Sequence, residues 1–566
     1  MNKSWIIGLV IVLLFGIVAI WDVHKPNLYT CHDAESHVIR LMQYERTLHD
    51  GQFPVQWAKT LYGGIGSPVL MLNYQLPYYL ASGLHWWGFS TFDSFKLVMA
   101  LSFLGGGVFM YLVLRRVVRW EIAMAAAVLY MWTPYHFVDL YVRCAFGESV
   151  GFLFVPIIIL GILESSYVWL ILGWAGLFLS HPVMSAGASP LLMGWMAIRH
   201  LHLKEKNWAA IRKNCLAYGI AVGIACFNIL PMLFLTRYTQ YSPYNSGTYD
   251  HFVTVRQLLV NTWGYGFSMP GDQDQMSFAI GYISLLVLGG TLTLLLYRRK
   301  WKEDAPTWYL FIVLICSFVL THQVAKPIYE LFGLTRYIDF PWRLLMISVI
   351  GTPLLLVWIG THLPKHIVRL TMFILLPLIW VTGRNNIHIN ATWPFDINYY
   401  VTNSSTGDAF GEYASIYRSS HRLGTVSQRL QLIEGVGRID YITDSTQEVV
   451  AQINVKSEEG AVVRYNIMHF PGWTYRIDGY EMSIDKQNCW FSSDMIDDQD
   501  YSGLVACKLT PGIHRVVARW VSPRAVRIGN AISLFALASC VGLVVYTYKK
   551  SVRQPLKKSS RKNKLQ

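Results

Sequence analysis

Directly after the first apolar run come His32, Asp33, Glu35 and His37. Two carboxylates one residue apart, between imidazoles, suit two kinds of chemistry. One of them could take a proton from an acceptor hydroxyl, or the pair could flank a divalent cation. Further on, Asp139 stands four residues before Arg143, and Gly147-Glu148 follows at the mouth of the next apolar run. His181 precedes Pro182, and Asp339 and Pro341-Trp342 lead into Arg343. Arginine presents a planar fork that clamps a phosphate in two-point fashion. Base, clamp and a groove open to the bilayer together outfit a site for displacing a sugar from a lipid phosphate. Each element also has a plain structural use. Asp139 and Arg143, at i,i+4 spacing, suit a simple ion pair. His181 before proline suits a helix cap, and Arg343 suits snorkelling to headgroups.

What places these residues on one face is the organisation of the chain. Of its 566 residues, 53% are hydrophobic and only 14% charged, with a mean hydropathy of +0.33. A soluble domain carries nearer a quarter charged residues. Twelve apolar spans fall near 5–21, 95–114, 121–137, 150–163, 166–180, 184–198, 215–236, 278–297, 307–321, 342–360, 367–383 and 525–547. About half of the 48 Lys and Arg lie in the connections at alternate ends of these spans and in the tail. Those connections hold few acids: Glu121, Glu164, Glu205, Glu303 and Asp304. That alternation is the positive-inside pattern. It puts both termini in the cytoplasm of a multi-pass cell-membrane protein, and the candidate residues on the extracytoplasmic side. Nucleic-acid binding would want the net charge of +14 gathered on one soluble face; it is dispersed, and nucleic acid is excluded as a partner.

The expected fold is therefore α-helical and polytopic, with about twelve transmembrane helices and an extracytoplasmic β-sandwich. Its divisions are a transmembrane domain over 1–383, containing a first extracytoplasmic loop over 23–94; a β-rich domain over 384–523; a final transmembrane helix over 524–548; and a basic cytoplasmic tail over 549–566. The β assignment rests on alternating runs at 449–455, 462–468 and 514–520, punctuated by Pro471-Gly472, Asp478-Gly479 and Pro511-Gly512. The eight cysteines form no CxxC. Most sit in apolar runs and read as small core residues, while Cys489 and Cys507 fall together in the polar region, where an oxidising compartment permits a disulfide.

The chain resembles the bacterial membrane proteins grouped as "6-pyruvoyl-tetrahydropterin synthase-related", a branch near the GT-C glycosyltransferases. The resemblance is carried by Asp33-Ala-Glu-Ser-His37 with Arg40, Gly51-Gln-Phe-Pro54 and Trp57, Tyr62-Gly-Gly-Ile-Gly-Ser-Pro68 and Leu76-Pro-Tyr-Tyr79. It continues through Asp139-Leu-Tyr-Val-Arg143, Glu148, His181-Pro182, Phe340-Pro-Trp-Arg343, Phe470-Pro-Gly-Trp473, Asp478-Gly479 and Pro511-Gly-Ile-His514. The pterin chemistry of the label does not transfer, since no soluble domain here suits it. The resemblance implies a GT-C-like fold and an inverting transfer of a sugar from a polyprenyl-phosphate donor to a glycan, lipid or protein acceptor of the cell envelope. It implies Asp33 as base, with Glu35 assisting or binding a divalent cation, and Asp139 and Glu148 as a second acidic element. Arg143 or Arg343 is then the phosphate clamp, with His181, Tyr74 and Trp473 in the substrate-binding set. Trp86-Trp87 is followed by Gly88 and lies in the first loop, so the peptide-glycosylating WWD-like motif of that class is missing.

Two other readings share the groove. A transporter or flippase of a lipid-linked saccharide would need no base; such proteins often show matched inverted repeats, and none is visible. A non-catalytic envelope assembly protein would use its β-module to bind glycan, with Trp473 either as a stacking platform or as a turn-anchored core residue.

Overall fold

A computed structural model describes residues 4–202, 206–241, 247–271, 275–402, 411–418, 426–484, 487–493, 495–496 and 499–553. Each of the twelve apolar segments carries a helix. Six helices are long and apolar enough to cross a membrane: Thr91–Leu114, Phe146–Glu164, Trp208–Tyr238, Pro341–His362, Lys365–Asn386 and Arg524–Thr547. Five others are apolar but shorter, Ser4–Ala19, Trp120–Trp132, Tyr167–Ser180, Tyr282–Arg298 and Ala305–Thr321; the twelfth segment is Pro182–Leu201. Burial sorts centre from periphery. The apolar window of Phe146–Glu164 is 78% buried and that of Arg524–Thr547 only 11%, so the first is enclosed by other helices and the last packs along one side. Its seat is the helix Trp208–Leu235. There Ser533 Oγ accepts from the Phe227 N–H at 2.8 Å, and a Cβ on Gly529 would stand 2.6 Å from the Cys226 carbonyl. Small residues of this kind let helix backbones close up where no hydrophobic drive exists. The last helix continues to Arg553, past the expected end at 548; the rest of the tail, 554–566, lies outside the described residues.

The first loop is helical over Ala34–His49 and Leu76–Trp86. Between Trp132 and Phe146 the chain makes a short helix begun by Pro134, then a π-helical turn over Val138–Arg143. Such wide turns are rare and recur at functional sites. Cys144, at φ 53, ends the turn in the left-handed region and is disulfide-bonded to Cys31. This corrects the expectation for these two cysteines: they are no isolated core thiols but tie the head of the first loop to the Asp139–Arg143 turn. Cys489 and Cys507 are likewise joined, from directly opposed positions on neighbouring strands.

Among the described residues the C-terminal region holds two larger antiparallel sheets and a two-stranded one, Met495–Ile496 with Gln499–Asp500. Of the larger two, one runs Leu430–Glu434, Ala461–Met468, Leu504–Leu509, Cys489–Phe491; the other Gly437–Asp444, Glu448–Val455, Gly512–Trp520, Trp473–Ile477, Tyr480–Glu481. Tyr465 of the first meets Tyr475 of the second edge-on, with ring centres 4.8 Å apart. Asp478 and Gly479, both at positive φ, make the tight turn between the last two strands, a conformation that Asp-Gly supplies readily. This region is docked on the first loop. Trp57 lies 5.5 Å from Trp473 and 5.1 Å from Trp520, Trp520 Nε1 donates to Gln56 Oε1 at 2.9 Å, and the Thr446 N–H donates to Asp50 at 2.7 Å. Trp473 is 4% exposed. Of the two readings left open for it, stacking platform or turn-anchored core residue, its burial against Trp57 and Trp520 fits the core one.

Candidate functional site

Four side chains from three connections converge on the carboxylate of Glu148, at the start of the enclosed helix Phe146–Glu164. Arg143 Nη2 donates to Glu148 Oε1 at 3.0 Å and Nη1 to Asp139 Oδ1 at 2.5 Å. The Tyr135 hydroxyl donates to Glu148 Oε2 at 2.8 Å. His181 Nε2 and Arg343 Nε stand 3.9 and 3.8 Å from Glu148 Oε1. Asp139, Arg143 and Glu148 are all buried, so two carboxylates share one guanidinium, a second guanidinium stands by, and the charges balance. The Trp342 ring closes one side, 4.8 Å from the Arg143 guanidinium.

Local sequence explains this arrangement. The π-turn widens the backbone so that Asp139 and Arg143 pair across it. Gly147 carries no side chain because a Cβ there would stand 2.5 Å from the Ser180 carbonyl and 2.8 Å from Tyr74 Cζ; this close approach seats Glu148 against the His181 turn. His181 does cap its helix: Nδ1 accepts the Met184 N–H at 3.2 Å, which leaves the ring proton on Nε2, facing Glu148. Burial pulls this imidazole down to about 4, so it stays neutral. Tyr74 packs on it with ring centres 5.4 Å apart and stacks on Tyr78 at 5.9 Å.

The expected phosphate clamps separate into two kinds. Arg143 is saturated by Asp139, Glu148 and Tyr135 and is not free to grip a ligand. Arg343 is one-fifth exposed, lies over the Phe340 ring at 4.9 Å, and makes no hydrogen bond among the described residues. Asp33 is the acidic counterpart. It sits at the N-terminus of Ala34–His49 but its side chain caps nothing, and its carboxylate makes no hydrogen bond or ion pair among the described residues. Its backbone N–H donates to the Arg143 carbonyl at 3.1 Å, beside the Cys31–Cys144 disulfide, which attaches it to the same cluster.

Glu35 turns elsewhere, to the Tyr399 hydroxyl, and burial raises its carboxyl above the ordinary range. Among the described residues no third His, Cys, Asp or Glu gathers with Asp33 and Glu35 into a metal-binding group. Sequence reasoning assigned no role to a second network behind Asp33: His37 Nδ1 and the Tyr78 hydroxyl are 2.7 Å apart, and Arg40 hydrogen-bonds Tyr78 and lies 5.7 Å from the Tyr413 ring. The signal available was the His37 and Arg40 spacing of one helical turn after Asp33. None of these residues lines the larger surface cleft, about 430 Å³, which opens among Tyr249, Phe252, His322 and Lys326.

No protein-family model matches the chain, and no curated protein matches it. Among solved structures, the arabinofuranosyltransferase AftD from Mycobacteria superposes with a TM-score of 0.39 at 12% identity, over 68% of this chain and 26% of that one. ArnT from Cupriavidus metallidurans, bound to undecaprenyl phosphate, superposes with a TM-score of 0.35 at 15% identity, over 68% of this chain and 64% of that one. The chain thus spans less than two thirds of the length of either. At these scores neither likeness assigns an activity.

Proposed function

We propose that this chain is a GT-C-type membrane glycosyltransferase. It moves a sugar from a polyprenyl-phosphate donor to an envelope glycan, lipid or protein on the extracytoplasmic face. The reading keeps the twelve crossings, the cytoplasmic termini, the expected domain divisions and the two sheets as leaves of a sandwich. The observation that carries it is the contrast within one cluster. Asp139, Arg143 and Glu148 neutralise one another, whereas Asp33 and Arg343 keep unused hydrogen-bonding capacity. A displacement at a sugar phosphate needs an acid and a guanidinium with such capacity; Arg343 stands by Glu148, and Asp33 is joined to the same cluster through the Arg143 carbonyl.

In this reading the acceptor hydroxyl attacks the anomeric carbon, and its proton passes to the Asp33 carboxylate. The bond from that carbon to the phosphate oxygen breaks, and the polyprenyl phosphate leaves against the planar Arg343 fork. Glu148 and Arg143 form the rigid base on which Arg343, His181 and Tyr74 are aimed. A single displacement inverts the anomeric centre. The test is binding of undecaprenyl phosphate to the protein in maltoside micelles. Arg343→Gln should weaken it about tenfold or more, the scale of a charge-assisted hydrogen bond, while Arg237→Gln, a solvent-facing arginine elsewhere, leaves it unchanged. Equal affinity for wild type and Arg343→Gln would remove Arg343 as clamp.

A further inference from the structure

Where the first loop meets the five-stranded sheet, one arginine is buried without a hydrogen-bond acceptor. Arg429 is 5% exposed, and its Nε, Nη1 and Nη2 all lie out of reach of solvent with no hydrogen-bond partner among the described residues. The nearest counter-charge is Asp444 Oδ1, 3.8 Å from Nη1, beyond hydrogen-bonding distance. That carboxylate is already taken by the Lys59 ammonium at 2.9 Å. The neighbouring hydroxyls are also engaged: Tyr441 with the Leu430 backbone at 2.9 and 3.2 Å, and Tyr475 with His469 at 3.2 Å. The Trp473 ring, 5.6 Å from the guanidinium, is the remaining contact.

Two cations thus share one carboxylate at the solvent-facing edge of the junction, since Asp444 is 39% exposed, while the guanidinium of Arg429 is buried behind it with its N–H donors unanswered among the described residues. A desolvated charge is costly unless it is both paired and hydrogen-bonded. Water could satisfy the donors but would leave the excess positive charge. A planar, two-oxygen anion satisfies both, because it matches the guanidinium fork. Burial pulls the Arg429 guanidinium down to about 10, which still leaves it charged in neutral solution.

We infer that this junction binds an oxyanion, a phosphate or carboxylate group, on the fork of Arg429 with Lys59 as the second cation. The anion is either free in solution or the phosphate of an envelope lipid. Neither residue belongs to the cluster around Glu148, so the inference stands apart from sugar transfer. It also gives the docking of the β-region on the first loop a ligand dependence, since Lys59 comes from the loop and Arg429 and Asp444 from the β-region.

The experiment is thermal unfolding of the full-length protein in maltoside micelles. One arm titrates inorganic phosphate at constant ionic strength set with chloride; the other adds undecaprenyl phosphate, with every variant carried in an Arg343→Gln background so that donor binding at the Glu148 cluster does not contribute. The midpoint should rise saturably, with stability growing as the logarithm of one plus ligand over Kd. The rise should vanish in Arg429→Gln and need several-fold more ligand in Lys59→Gln. A response to inorganic phosphate assigns the free anion, and a response confined to the lipid assigns the lipid phosphate; both uphold the site. No saturable response to either, or the same response in Arg429→Gln, would overturn it. Should Arg429→Gln fail to fold, a Lys59→Gln titration identical to wild type would overturn it as well.

Discussion

Replacing Glu148 by glutamine asks whether the buried ion cluster holds the helices together. The substitution keeps the shape and removes one charge. Glu148 is 1% exposed and accepts from Arg143 and Tyr135, with Arg343 and His181 within 4 Å. After the change, two guanidiniums face the single carboxylate of Asp139, and the Gln amide presents N–H groups to donors. Breaking a buried pair by removing one partner costs about 3–5 kcal/mol. That is roughly a 10²–10⁴-fold loss in the folding equilibrium. The assay is equilibrium unfolding in mixed micelles, followed by tryptophan fluorescence. The double variant Glu148→Gln with Arg343→Gln restores the charge balance and should recover part of the loss; the coupling measures how far the two act together. Wild-type stability in Glu148→Gln would refute the reasoning, and so would a double variant no better than the single one.

Trp520→Ala empties the centre of the junction between loop and β-region. A cost of about 3–5 kcal/mol is expected for a buried tryptophan, read as a lowered thermal midpoint and faster limited proteolysis of the full-length protein. Serine at Cys31 or Cys144 should lower the thermal midpoint and, on the proposed reading, cut transfer more than it cuts donor binding, because Asp33 loses its tether to the Arg143 turn; equal transfer in the variant and wild type would remove that tether. Glu45 gives a pH prediction. Burial lifts its carboxyl to about 7, against the opposing pull of His85 at 3.7 Å. A raised acid means that the folded state binds more protons than the unfolded one between about 4.5 and 7, so stability should fall across that window as pH rises. Glu45→Gln should flatten that fall, as measured by thermal midpoints from pH 4.5 to 8.

The helices were legible because uninterrupted apolar runs announce themselves, and the strands because period-2 runs stood between Pro-Gly and Asp-Gly turns. The Asp139–Arg143 pair followed from i,i+4 spacing alone, although the wide turn that carries it did not. The Cys31–Cys144 bond was hidden because its ends lie 113 residues apart, in local contexts that look like loop and core. Spacing also could not divide roles between Arg143 and Arg343. Both precede or open apolar helices, and only the three-dimensional contacts show that one is consumed by carboxylates while the other keeps free donors. The surroundings of Trp473 and Glu35 were hidden for a shared reason. Each meets a partner far away in sequence, Trp57 or Tyr399, that no local pattern reveals.

The central claim is that Asp33 acts as a base on an acceptor hydroxyl. Its direct measurement is transfer of radiolabelled sugar from a polyprenyl-phosphate donor to extracted envelope acceptors, in proteoliposomes carrying wild type or Asp33→Asn. The account predicts a loss of about 10²–10⁴-fold in turnover, the usual contribution of a positioned base, with donor binding and thermal midpoint unchanged. Full transfer by Asp33→Asn would contradict it.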